Sequence, residues 1–188
     1  MSTFIKPAFQ IQRINALENQ LVQFQSLSLE ELTRRPNPKS WSVIEVAKHM
    51  VIGHEAYRDK VNMALSLKGA SDIPSEFKAS AIPSFLIKRF PPREGEIKFK
   101  MKTTKKFKPV FDVSQLTIED AERIFSELSG ILNELKEWVE TYRTRTISMK
   151  KFNSAVGATV RFNIPEACEF ILCHNERHFL QMDRAVTN

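Results

Sequence analysis

Apolar positions recur along this chain at intervals of three and four residues, the spacing of helices that bury one face. In residues 8–26 the stripe is Ile14, Leu17, Leu21 and Phe24. Ser28 and Glu31 then form a capping-box pattern over a short turn of helix, and Pro36 and Pro38 enforce a loop. A second helix is predicted from Ser42 to about Leu67. Ser42 can cap it, Glu45 can reach back, and Trp41 can staple onto Val46. Its stripe is Val43, Val46, Ala47, Met50, Tyr57, Val61 and Leu65, with His49 at the edge and His54 nearer the centre. Thr117 opens a third helix whose repeat runs from Ala121 through Leu128 and Leu135 to Tyr142. A fourth runs from Pro165 to Arg184 and ends before Thr187.

The segments between these helices differ in length and character. Residues 68–115 hold five of the nine prolines, and a connection of that length is often functional. A short helix around Ser84–Phe90 is expected within it. The alternation of Ile97 to Lys102 predicts a short extended piece. Residues 144–162 form a second connection, with Gly157 as its turn. The fold class that follows is all-α: a four-helix bundle with a long, partly irregular connection between helices 2 and 3, in a single domain spanning 1–188.

Composition supports a real core, with 42% hydrophobic residues, 14 Phe and only 5 Gly in 188 residues. The net charge of +6 equals the number of lysines between Lys98 and Lys108, where no acid intervenes. The basic balance is therefore one local feature. That run interleaves Phe99 and Phe107, a pattern compatible with single-stranded nucleic acid. With no nucleic-acid module around it, the run reads as a solvated connection whose phenylalanines tuck onto the bundle. A further reading has the lysines steering an anionic substrate. No stretch has the look of a signal peptide or a membrane span. Cys168 and Cys173 match no C-x-x-C motif. A cytoplasmic protein with reduced thiols is expected, and no membrane partner.

The fourth helix carries the chemistry. On 3.6-residue geometry, His174, His178 and Gln181 lie within about 60° of one another, in the sector that also holds Ala167, Phe170 and Ile171. Buried polar groups need partners, and H-x-x-x-H on one helical face presents two imidazoles to one metal ion. The rest of the chain must supply a third ligand. Glu176 lies about 160° from His174 and so does not reproduce a zincin motif; it and Arg177 read as peripheral charges. Cys173 reads as a packed thiol. Cys168, Leu172, Phe179 and Met182 widen the apolar sector beyond what a four-helix bundle requires, which suggests a dimer contact or cover from the long connection.

Trp41-Ser-Val-Ile-Glu-Val-Ala-Lys-His49 and His174-Asn-Glu-Arg-His178-Phe-Leu-Gln181 together resemble the DinB-like (DinB/YfiT-like) superfamily of metalloenzymes. On wheel geometry alone His54 is the better-centred histidine of the second helix; the resemblance selects His49. It implies a divalent metal, zinc or nickel, held by His49, His174 and His178, with open positions for water or substrate. Relatives include transferases and isomerases that use a low-molecular-weight thiol as co-substrate. Glu45 and Gln181 are then the candidates to accept from the ligands' other ring nitrogens. His54 reads as a core histidine bonded to backbone or Tyr57. The expected function is a metal-dependent thiol S-transferase or hydrolase acting through a metal-bound water or thiol on a small-molecule substrate, in a homodimer. The alternative is a non-catalytic stress-response or binding module with a structural or vestigial metal site.

Overall fold

A computed structural model describes residues 3–69, 74–99, 102–157 and 159–187. A two-residue strand β1 (Phe4–Ile5) precedes helix α1 (Pro7–Gln25), and one turn of helix, α2 (Leu29–Thr33), follows it. Helix α3 is Val43–Leu65, α5 is Ile118–Thr144 and α6 is Ile164–Thr187. Between α3 and α5 lie strand β2 (Phe77–Lys78) and helix α4 (Ala81–Arg89). Strands β3 (Phe152–Asn153) and β4 (Arg161–Phe162) stand between α5 and α6.

The four long helices make the bundle: α3 packs against α5 and α6, and α1 closes the ring against the same two. One hydrophobic cluster runs through all four, and every stripe residue expected on α1 is buried in it. Helix starts follow local chemistry. Reciprocal side-chain and backbone bonds form at Ser28–Glu31, Ser42–Glu45 and Thr117–Asp120, satisfying donors that a helix end leaves open. Helix α6 has the same device, with Asn163 and Glu166 exchanging two 3.0 Å bonds. It therefore begins at Ile164, one residue before the expected Pro165.

Helix α6 also runs through Thr187, past its expected end. Two features of the long connection depart from the sequence expectation as well. The short helix in the long connection starts three residues earlier than Ser84. Its amino end is tied to α6, because the Ser80 N–H donates to Glu166 Oε1 at 2.7 Å. The extended piece expected over Ile97–Lys102 is absent from Ile97–Phe99; an isolated bridge joins Arg93 to Glu96 instead. Lys100 and Met101, part of the same alternation, lie outside the described residues. The bundle also carries two small antiparallel pairs, β1 with β2 and β3 with β4. The carboxyl end of α3 meets the second connection at a Lys68–Ile147 bridge. A Cβ on Gly69 would fall 2.1 Å from the Ile147 carbonyl oxygen, so only glycine permits that approach.

The surplus apolar face of α6 is covered within the chain. Cys168, Leu172, Phe179 and Met182 are all buried, and α4 packs on this helix together with β1 and β4. Among the described residues, no helix is long and apolar enough to cross a membrane.

Candidate metal centre

Helices α3 and α6 pack side by side, and the site forms where His49 of α3 faces His174 and His178 of α6. Successive histidines four apart on α6 stack one turn over the next, with ring centroids 4.4 Å apart. The His49 ring lies 5.2 Å from His174 and 4.6 Å from His178. One ring nitrogen from each of the three lies within 4.8 Å of the others. Among the described residues, no other grouping of His, Cys, Asp and Glu could share an ion. Gly53, one turn beyond His49, leaves room for the second ring: a Cβ there would sit 3.4 Å from His174 Cε1.

Hydrogen bonds set the tautomers of two rings. His49 Nδ1 donates to the Phe107 carbonyl at 2.6 Å, and His178 Nδ1 donates to Gln181 Oε1 at 2.9 Å. Each bond leaves the Nε2 of its ring with a free lone pair. The acceptor on His178 is the Gln181 anticipated from spacing. The acceptor on His49 is not Glu45. That carboxylate is already taken by Ser42 in the helix cap and by Arg35, whose Nε and Nη2 donate at 2.8 and 2.5 Å.

Electrostatics keep the cluster neutral. Burial, the neighbouring rings and the Arg177 charge push His174 down to about 3 and His178 well below its ordinary value. His49 is also lowered, by burial first and by Arg177, against the pull of the Phe107 carbonyl. Three unprotonated imidazoles with converging lone pairs are a donor set suited to a divalent ion of intermediate softness. Two of the three rings are already oriented by partners of the kind that metal-ligating histidines use.

His54 stands apart from the three. It lies 140° further round α3 by helical geometry, stacks on Trp138 with centroids 4.6 Å apart, and donates from Nε2 to Glu134 at 2.8 Å. Glu134 also pairs with Arg58. Tyr57, expected as a partner for His54, instead bonds Ser154 at 2.6 Å. Burial lowers His54 to about 4, and its buried Nδ1 has no hydrogen-bond partner among the described residues.

Neither of the charges expected at the periphery of α6 is there. Glu176 accepts two 2.7 Å bonds from Arg13 of α1. Arg13 also reaches Glu169 at 2.5 Å, and Gln10 donates to the same carboxylate at 2.8 Å. Arg177 is half-buried, donates to the Phe99 carbonyl and lies 5.4 Å over the Phe90 ring. Both cysteines are buried and free, and burial raises both thiols. Cys173 is the packed thiol its position suggested.

The three imidazoles border a cleft with two chambers. The inner one, a cavity of about 40 Å³, is lined by His49, His174, Gly53, His54, Tyr57, Phe170 and Ile171. The outer, about 100 Å³, meets all three histidines together with Phe90, Lys102, Thr103, Thr104 and Arg177. Phe107 and Val156 touch both. Two of these contributors could not be anticipated from residue type. The Phe107 carbonyl is a backbone group that every residue owns. The Glu134 contact joins helices 80 positions apart.

A sequence-family model described as the DinB superfamily matches residues 14–182. Among solved structures, YfiT from Bacillus subtilis aligns over 95% of this chain and 85% of its own, with TM-score 0.56 and 13% identity. YfiT is described as a probable metal-dependent hydrolase with an unusual four-helix bundle topology. Among curated proteins, none matches. The chain belongs to the DinB superfamily.

Proposed function

We propose that this DinB-superfamily chain is a metal-dependent enzyme that binds one divalent ion, zinc or nickel, through His49, His174 and His178. The observation that carries the reading is the convergence of three neutral imidazoles at the mouth of a two-chambered cleft. A structural zinc site is normally closed by four protein ligands. Here no fourth donor joins the three among the described residues, and the cleft leaves the remaining side to a small molecule. A divalent ion in that position supplies Lewis acidity, lowering the pKa of a coordinated water or thiol.

The protein's own groups divide the remaining work. Phe107 and Gln181 hold two ligand rings in their donating tautomers. Phe170 and Ile171 give the inner chamber an apolar wall. His54, fixed through Nε2 by Glu134, forms part of that chamber's wall. Neither cysteine can serve as nucleophile, since both thiols are buried and raised. Hydrolysis or transfer to a thiol that arrives as co-substrate are therefore the two reaction classes that fit. The description of YfiT as a probable hydrolase favours the first.

Metal analysis of protein purified without a polyhistidine tag tests the reading. Wild type should retain about one divalent ion per chain, and each His→Ala variant should lose affinity by about 100-fold or more. Retention of metal by all three variants would remove the site. Turnover of ester and amide substrates, set against conjugation of monochlorobimane with cellular thiols, then separates hydrolase from transferase.

A further inference from the structure

We propose that Arg177 anchors an oxyanion of the substrate, and that the substrate joins this anion to an apolar body held in the inner chamber. The inference rests on the metal reading only for the place of the reacting bond, between the two chambers.

Arg13 is matched by two carboxylates, Glu169 and Glu176. Arg177 is half-buried too, yet among the described residues no carboxylate pairs with it; its described bond goes to the Phe99 carbonyl. A guanidinium has five donors, so several remain. The outer chamber adds the ammonium of Lys102 and the hydroxyls of Thr103 and Thr104, and no Asp or Glu lines it. Arg177 lines the same chamber as all three imidazoles, and its charge would oppose a cation arriving there. An unmatched, partly dehydrated positive charge beside a cation site is unfavourable by itself. A planar oxyanion on the guanidinium fork relieves both the lost hydration and the repulsion.

The inner chamber fixes the rest of the ligand. Phe170 and Ile171 are buried, and Tyr57 spends its hydroxyl on Ser154. The walls and the cavity of about 40 Å³ therefore suit a short alkyl group. His49 and His174 touch both chambers. A molecule spanning them presents its middle to the imidazoles, with its anion outward and its apolar end inward.

Calorimetric titration with butanoate, butyl phosphate and the neutral isostere butanamide tests this on the full chain, metal-free and Zn²⁺-loaded. Butanoate or butyl phosphate should bind at least about tenfold more tightly than butanamide. Arg177→Met should remove that preference in the metal-free chain, with Zn²⁺ content no lower and butanamide binding unaffected. Arg177→Lys should keep part of it. Equal binding of anion and amide by wild type, which needs no variant, overturns the proposal; so does an unchanged preference in a folded Arg177→Met. A chain that takes up no Zn²⁺ yet prefers the anion through Arg177 overturns the metal reading and leaves this one standing.

Discussion

His174 lies between two other imidazoles and within reach of the Arg177 charge, and that setting determines what acid does to the fold. Its ring is held down to about 3 and that of His54 to about 4. Unfolded, both titrate near 6.5. Below that value the unfolded chain gains protons that the folded chain refuses, so stability is complete above about pH 6.5 and falls as pH is lowered toward 4. For His54 alone the loss is on the order of 2–3 kcal/mol. Urea unfolding at pH 7 and pH 4.5, in the presence of EDTA, should show this decline, and His54→Gln should reduce it. An identical decline in that variant would mean other groups carry it. Gln181→Leu removes the acceptor on His178 Nδ1 and should weaken Zn²⁺ binding by about 10–100-fold while leaving the helical circular dichroism intact.

Helix α6 carries four buried polar residues, Glu166, Glu169, Asn175 and His178, and its amino end and middle turns make separate contributions. Asn163→Ala breaks the exchange with Glu166 at the amino end and should cost about 1 kcal/mol, as Ser42→Ala should on α3. Arg13→Leu should cost more, about 3–5 kcal/mol, because it leaves Glu169 buried without its ion pair. Thermal melts that rank the cap variants above the Arg13 variant in damage would refute this ordering. The helices themselves were legible in the chain. Three- and four-residue spacing located α1, α3, α5 and α6, since burial of one face leaves a periodic trace. The Asn163–Glu166 box has the same spacing as the box at Ser42, yet with Pro165 standing as a start signal the fourth helix was expected to begin there. The pairing of Glu176 with Arg13 was not, because it joins polar residues on two helices 163 positions apart and no periodicity records which polar faces meet. For the same reason Glu45 could be placed beside His49 by spacing but not denied to it; that required knowing where Arg35 falls.

At the scale of the whole molecule the site ties distant parts of the chain together. His49 comes from α3 and the other two histidines from α6, so an ion held by all three crosslinks the bundle and binds only the folded form. At about a thousandfold excess over its dissociation constant, Zn²⁺ should raise stability by about 4 kcal/mol. Scanning calorimetry with Zn²⁺ and with EDTA measures the difference, and superimposable melts would exclude the crosslink.

The turn at Lys105–Phe107 gives the long connection a grip on that crosslink. The carbonyl that orients His49 is flanked by exposed Lys105, Lys106 and Lys108, and Lys106 is itself moored to the Ala155 carbonyl. Trypsin cuts after lysine, so a single nick in this turn severs the tether on His49 without touching any of the four long helices. The nicked chain should stay folded yet release its ion faster than the intact one, making cofactor retention a reporter of an intact peptide backbone some 58 positions away along the sequence.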